Sequence, residues 1–149
     1  MPDKPVFLDT NMWVYLFTDT HDAENRRKQD IVRQVLSNRS NIVVSTQVLN
    51  EASNVWLKKY GLDIDRVKSY LKTIRKSAEV HLLNEALTFR ALDLFDRYKL
   101  SFYDSLIIAA ALDAGCRTLY TEDLQHGQRI GELTIENPFR GTSRPAVEF

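Results

Sequence analysis

The sequence predicts an α/β fold with a mostly parallel sheet flanked by helices. Short apolar runs alternate several times with amphipathic helical stretches, which is the pattern of crossover units rather than of a helical bundle. The length, 149 residues, suits one hydrophobic core, and a 44% hydrophobic, 27% charged composition fills such a core and solvates its surface. One domain is expected over residues 1–140, with 141–149 as a flexible or peripheral tail.

The elements follow in order. Val6, Phe7 and Leu8 form a buried strand that ends at Asp9, with Thr10 and Asn11 as a polar turn and residues 13–17 as a short helix. Residues 22–36 read as an amphipathic helix through Ile31 and Val35. A second strand at 42–44 leads to Ser45 or Thr46 as the cap of a helix buried through Val48, Leu49, Ala52, Val55 and Trp56 and ended by Gly61. Asp63 opens the next helix, with Ile64, Val67, Leu71 and Ile74 on its apolar side, and 80–83 returns as a third strand. Asn84 caps a long helix whose expected apolar register is Ala86, Phe89, Leu92 and Phe95 or Asp96, ending near Tyr98. Ser101 and Asp104 have capping-box spacing ahead of the apolar run 106–112, which Gly115 terminates. Thr118–Tyr120 is the fourth strand, Gly127 marks a loop, and 133–135 is the fifth strand.

Twenty basic residues balance twenty acidic ones, which excludes a broadly basic nucleic-acid coat but leaves room for one basic face beside an acidic cleft. Up to Lys76 there are 13 basic and 9 acidic residues, and beyond it 7 and 11, so the charge is sided along the chain. A lone cysteine, Cys116, forms no intrachain disulfide and no cysteine-rich zinc cluster, in keeping with a reducing, cytoplasmic location. The longest apolar run is far below the roughly 20 residues that span a bilayer, so no membrane association is expected.

Ligands of open α/β sheets bind beyond the C-terminal strand ends, where Asp9 and Asp123 both fall. Glu51 lies in the first two turns of the helix after the second strand, and Asp104 in the first turn of the helix after Ser101, so four carboxylates can face one edge. Two like charges about 4 Å apart repel by about 4 kcal/mol at an effective dielectric of about 20, and a divalent cation relieves this. All-oxygen donors without a His/Cys set favour magnesium or manganese, although calcium accepts the same donors; His21, His81 and His126 lack zinc-like spacing. Such a site suits phosphodiester hydrolysis. Each acid also has an ordinary structural use: Asp9 and Asp123 as turn caps, Glu51 as a helix-surface residue, Asp104 as the reciprocal capping acid. Glu122 rivals Asp123 as a ligand, and Thr10, Asn11 and Thr121 can hydrogen-bond a carboxylate, a water or a phosphate.

The segments Phe7-Leu8-Asp9-Thr10-Asn11, Gln47-Val48-Leu49-Asn50-Glu51, Ser101-Phe102-Tyr103-Asp104-Ser105-Leu106-Ile107 and Leu119-Tyr120-Thr121-Glu122-Asp123-Leu124-Gln125-His126-Gly127 together resemble PIN-domain ribonucleases, especially the VapC-type toxins of toxin–antitoxin modules. The resemblance runs across nearly the whole chain. It implies a compact parallel α/β fold, RNA cleavage requiring Mg2+ or Mn2+, a homodimer, and inhibition by a cognate antitoxin. It matches Asp9, Glu51, Asp104 and Asp123 to the family's catalytic metal-binding acids and Thr121 to its polar residue near the last acid, with Thr10, Asn11 and Glu122 in support.

Basic residues must offset repulsion between this centre and a nucleic-acid backbone; Arg26, Arg27, Lys28, Lys58 and Lys59 are candidates, each equally suited to a solvated helix face. Trp13, Tyr15 and Trp56 can stack on bases, but core packing is the commoner use of such residues. The alternative from another class is a non-catalytic RNA-binding regulator with the same fold, which the retention of all four acids disfavours.

Overall fold

The computed structural model describes residues 4–39 and 41–140. The expected tail, 141–149, lies outside the described residues. Strands β1 (Val6–Leu8), β2 (Ile42–Ser45), β3 (Glu79–His81), β4 (Thr118–Tyr120), β5 (Arg129–Ile130) and β6 (Leu133–Glu136) form one sheet in the order β3-β2-β1-β4-β6-β5. Every pairing is parallel except β5 with β6. Helices α1 (Thr10–Phe17), α2 (Ala23–Ser37), α3 (Thr46–Lys58), α4 (Ile64–Ser77), α5 (Glu85–Tyr98) and α6 (Phe102–Asp113) fill the connections.

β1 is buried along its whole length because it has a parallel neighbour on each side: Val6 and Phe7 pair with Ile42 and Val43, and Val6, Phe7 and Leu8 pair with Thr118, Leu119 and Tyr120. From β1 the chain runs outward through β2 to β3, then α5 and α6 carry it back past β1 to β4. The direction of winding therefore reverses between β1 and β4, and the crevice beyond their C-terminal ends is where this class of sheet binds ligands. α1 packs on α2 and α3, α3 on α4, and α5 on α6. With the strand order β3-β2-β1-β4, the right-handed rule for parallel crossovers implies opposite faces of the sheet for these two groups.

Side-chain caps set the helix starts. Asp22, Ser45, Asp63, Asn84 and Ser101 each accept from a backbone N–H in the first turn of the helix they precede. α6 is buried continuously from Ser105 to Ala111, so its small residues allow close packing on every side. Gly61 and Gly115, with φ of 62° and 76°, supply the left-handed turns after α3 and α6.

Five expectations need correction. Ile64, expected on the apolar side of α4, is 63% exposed at the first residue of the helix, whose buried residues are Val67 and Ile74. α1 starts at Thr10 rather than at 13, because Asp9 itself caps it by accepting the Thr10 N–H at 2.7 Å. β3 covers Glu79–His81, and Leu82, expected within it, is 68% exposed. β5 was not expected; its two residues become a strand only through antiparallel pairing with β6, Arg129 to Thr134 and Ile130 to Leu133. In α5 the buried stripe is Leu87, Ala91 and Leu94, while the expected Phe89, Leu92 and Phe95 face outward, at 64%, 48% and 46% exposure.

Candidate active site

Asp9, at the C-terminal end of β1, points into the crevice between β1 and β4 and is buried to 6% exposure. Its two carboxylate oxygens have separate partners. Oδ1 accepts from the Thr10 N–H, and Oδ2 accepts from the Thr121 hydroxyl at 2.8 Å, just past the end of β4. Glu51 reaches the same crevice from the second turn of α3. Thr10 donates to it at 2.6 Å, and Gln47, one turn earlier on the same helix, donates at 3.0 Å. Gln47 also donates to the Tyr103 carbonyl at 3.1 Å, tying α3 to the start of α6.

Of the two uses expected for its carboxylate, Asp104 shows the one in the crevice, and the cap is made by Ser101 instead. Its backbone N–H donates to Ser101 Oγ at 3.1 Å, forming the cap, and its carboxylate lines the crevice. Asp123 also lines the crevice, and its backbone N–H donates to Thr121 Oγ1 at 3.2 Å. Asn11 Nδ2 donates to the Asp123 carboxylate at 3.3 Å. The result is one cleft of about 320 Å³ lined by Asp9, Glu51, Asp104 and Asp123, with Thr10 and Asn11 among them. Glu122 is not on its wall; it pairs with Lys28 at 2.8 Å and accepts from Tyr15.

The electrostatics record this convergence. Burial pushes Asp9 up from 3.8 to about 6, against the hydrogen bonds from Thr121 and Thr10, and the neighbouring charges of Asp123 and Asp104 push it the same way. Asp123 is also raised, first by burial and then by Glu122 and Asp104, with Lys28 opposing. Tyr15 is pushed up to about 12 by burial and by its bond to Glu122. Burial opposes the charge on Lys28, but its bonds to Glu122 and Tyr15 outweigh that and raise its pKa.

Among the described residues, no three of His, Cys, Asp or Glu stand close enough to form a ready-made ion cage. Neutral donors hold the acids instead: Thr10 and Gln47 on Glu51, Thr121 on Asp9, Asn11 on Asp123. The donor set nevertheless fits a hard divalent cation, since its donors are carboxylate, hydroxyl and amide oxygens and it carries a surplus of negative charge around a partly buried centre. Cys116 is buried, which pushes its thiol up to about 12; His81 pairs with Asp113 and His126 accepts from the Asn137 N–H.

Several residues have roles other than those expected. Trp13 and Trp56 are fully buried, the latter against Phe17 and Tyr70, so neither presents a ring to a base. Tyr103, overlooked in the sequence, is 62% exposed beside Asp104. Gln47 was also overlooked, although its position four residues before Glu51 places the two on one helix face.

The chain matches the sequence pattern described as the PIN domain over residues 6–130. No curated protein matches it in sequence. Its fold is similar to that of Mycobacterium tuberculosis VapC20, described as a sarcin–ricin loop cleaving toxin, with a TM-score of 0.64, 21% identity, and coverage of 79% of this chain and 89% of that one. A toxin–antitoxin complex from Klebsiella pneumoniae matches with a TM-score of 0.66 at 19% identity, covering 89% and 97%. VapBC2 from Rickettsia felis, bound to a promoter DNA fragment, matches with 0.61 at 22% identity, covering 89% and 98%. With the match spanning nearly all of the described sheet and the acids gathered at its switch point, the chain belongs to the PIN-domain family.

Proposed function

We propose that this protein is a metal-dependent endoribonuclease that hydrolyses RNA phosphodiester bonds, and that it acts as a toxin neutralised by an antitoxin. One observation carries the reading: carboxylates from the ends of β1 and β4 and the starts of α3 and α6 line a single cleft at the switch point of the sheet. Asp9, Glu51, Asp104 and Asp123 are the residues that would hold the ion. Mg2+ or Mn2+ there supplies Lewis acidity and neutralises charge on the phosphate and leaving oxygen.

The chain's own contribution is positioning. Thr121 and the Thr10 N–H each fix one oxygen of Asp9, and Thr10 and Gln47 fix Glu51. Ser101 sets the start of α6 and with it the place of Asp104. The exposed Tyr103 ring, next to Asp104 in sequence, offers a stacking surface. RNA as the substrate is supported by the family and by the described activity of VapC20; an antitoxin is supported by the two toxin–antitoxin neighbours. A groove of about 410 Å³ between α1, α2 and α4, lined by Trp13, Leu16, Leu36 and Ile74 among others, suits apolar side chains of such a partner. A homodimer is supported by the outward Phe89, Leu92 and Phe95 of α5.

Mapping cleavage of total RNA with Mg2+ or Mn2+, with a chelator control, tests this. Asp9→Asn and Asp104→Asn should each lower cleavage by about a hundredfold or more while the chain still folds. Wild-type cleavage rates in both purified variants would reject the assignment. RNA binding that persists in chelator and in Asp9→Asn, with no cut at any site, would favour the non-catalytic regulator instead.

A further inference from the structure

Glu122 and Asp123 are adjacent in the chain, yet only Asp123 lines the acidic cleft. The Glu122 carboxylate is held from the other side. Lys28 in α2 donates to Oε1 at 2.8 Å, while Tyr15 Oη and Asn11 Nδ2 donate to Oε2, the latter at 3.5 Å. Lys28 is itself confined: it donates to Tyr15 Oη at 3.3 Å and lies 5.0 Å from the Tyr15 ring and 5.2 Å from the Phe139 ring. Those two rings meet edge to face at 5.7 Å, forming an aromatic cradle for the ammonium. The side chains of the ion pair are only 20% and 17% exposed, so removing one partner strands a poorly solvated charge. Asn11 joins this cluster to the cleft, since the same amide nitrogen that reaches Glu122 donates to Asp123 at 3.3 Å.

We infer that Lys28 is a positioning residue: with Tyr15 it holds Glu122 out of the cation site and thereby assigns the last acidic position to Asp123. This rests on the metal-dependent reading above and specifies which of two adjacent carboxylates serves it. Without the ammonium, Glu122 keeps the neutral donors Tyr15 and Asn11 but carries an unbalanced charge one residue from the site, where a bound cation would attract it.

The test is a double-mutant cycle read by Mn2+ titration of the full chain, using calorimetry or paramagnetic resonance. With Lys28 present, Asp123→Asn should weaken Mn2+ binding by more than about tenfold and Glu122→Gln by no more than about threefold. In a Lys28→Met background, Glu122→Gln should cost more than about tenfold, because Glu122 has become a ligand; Lys28→Arg should keep the wild-type pattern. A mere change of nearby charge shifts affinity by the same factor in both backgrounds. Equal factors would therefore overturn the inference, as would a Glu122→Gln loss matching that of Asp123→Asn in the otherwise unaltered chain. On RNA, Lys28→Met should lower kcat about tenfold at unchanged KM. A raised KM with unaltered Mn2+ affinities would make Lys28 an RNA contact and overturn the positioning role. If Lys28→Met fails to fold, the same cycle with Tyr15→Phe, which removes the other tether, decides the question. Should the unaltered protein show the expected Mn2+ pattern yet cut no RNA, the hydrolysis reading falls and this inference stands.

Discussion

Asp9 is the residue in which the fold and the proposed function are most opposed. It caps α1 and anchors Thr121, yet it does so from a position with 6% exposure beside two other acids. With its pKa raised from 3.8 to about 6, the folded state holds more protons than the unfolded state between those values. Stability contributed by protonated Asp9 is thus complete below about pH 4 and is lost as pH rises through about 6; the full difference is about 3 kcal/mol. In chelator, Asp9→Asn should be more stable than the unaltered protein by about 2 kcal/mol at pH 7, with the gap closing near pH 4. Urea unfolding at the two pH values measures this. A variant less stable at pH 7 would mean that the cap and the Thr121 bond outweigh the buried charge. Asp9 and Thr121 were legible in the sequence because strand ends are easy to find; Lys28 and Glu122 were not legible as a pair, since 94 residues separate them and only the fold joins α2 to the loop after β4.

Among the elements, α5 shows why periodicity locates a helix more readily than it orients one. Leu87, Ala91, Leu94 and Tyr98 form one apolar stripe, and Ala86, Phe89, Leu92 and Phe95 form another; both have helical spacing. Larger side chains on the second stripe made it the expected core face, but close packing against α6 selects the stripe that contains Ala91. The proposed homodimer would cover the outward stripe by pairing two α5 helices antiparallel. Leu94→Ala should cost about 2–4 kcal/mol because it opens a cavity against α6. Phe89→Ser combined with Leu92→Ser should leave the unfolding free energy of the monomer within about 0.5 kcal/mol while abolishing self-association in sedimentation velocity. A monomeric unaltered protein would dispose of the dimer, and a large stability loss from the outward pair would restore the original register.

At the scale of the whole molecule, the acidic centre works as a long-range joint. Asp9, Glu51, Asp104 and Asp123 lie far apart in sequence and are carried by four elements that meet only where the winding of the sheet reverses. Alternating strands and helices made that meeting point readable in advance, and helix spacing put Gln47 beside Glu51, whereas the contacts of Thr10 with Glu51, Thr121 with Asp9 and Asn11 with Asp123 depend on side-chain packing that spacing does not encode. A cation bound at the joint, as proposed, would tie α3 and α6 to the centre of the sheet and would be a ligand of the folded state alone. At about 100 times its dissociation constant it should add about 2.7 kcal/mol, which for a chain of this size raises Tm by about 5–10 °C. Differential scanning calorimetry with Mn2+ should show that rise in the unaltered protein and lose most of it in Asp104→Asn, whose cap, made by the backbone N–H, survives the substitution. A rise that persists undiminished in both Asp104→Asn and Asp9→Asn would place the ion elsewhere on the surface and leave the cleft as a cluster of repelling acids, with Thr10, Gln47, Asn11 and Thr121 serving only to keep the acids apart.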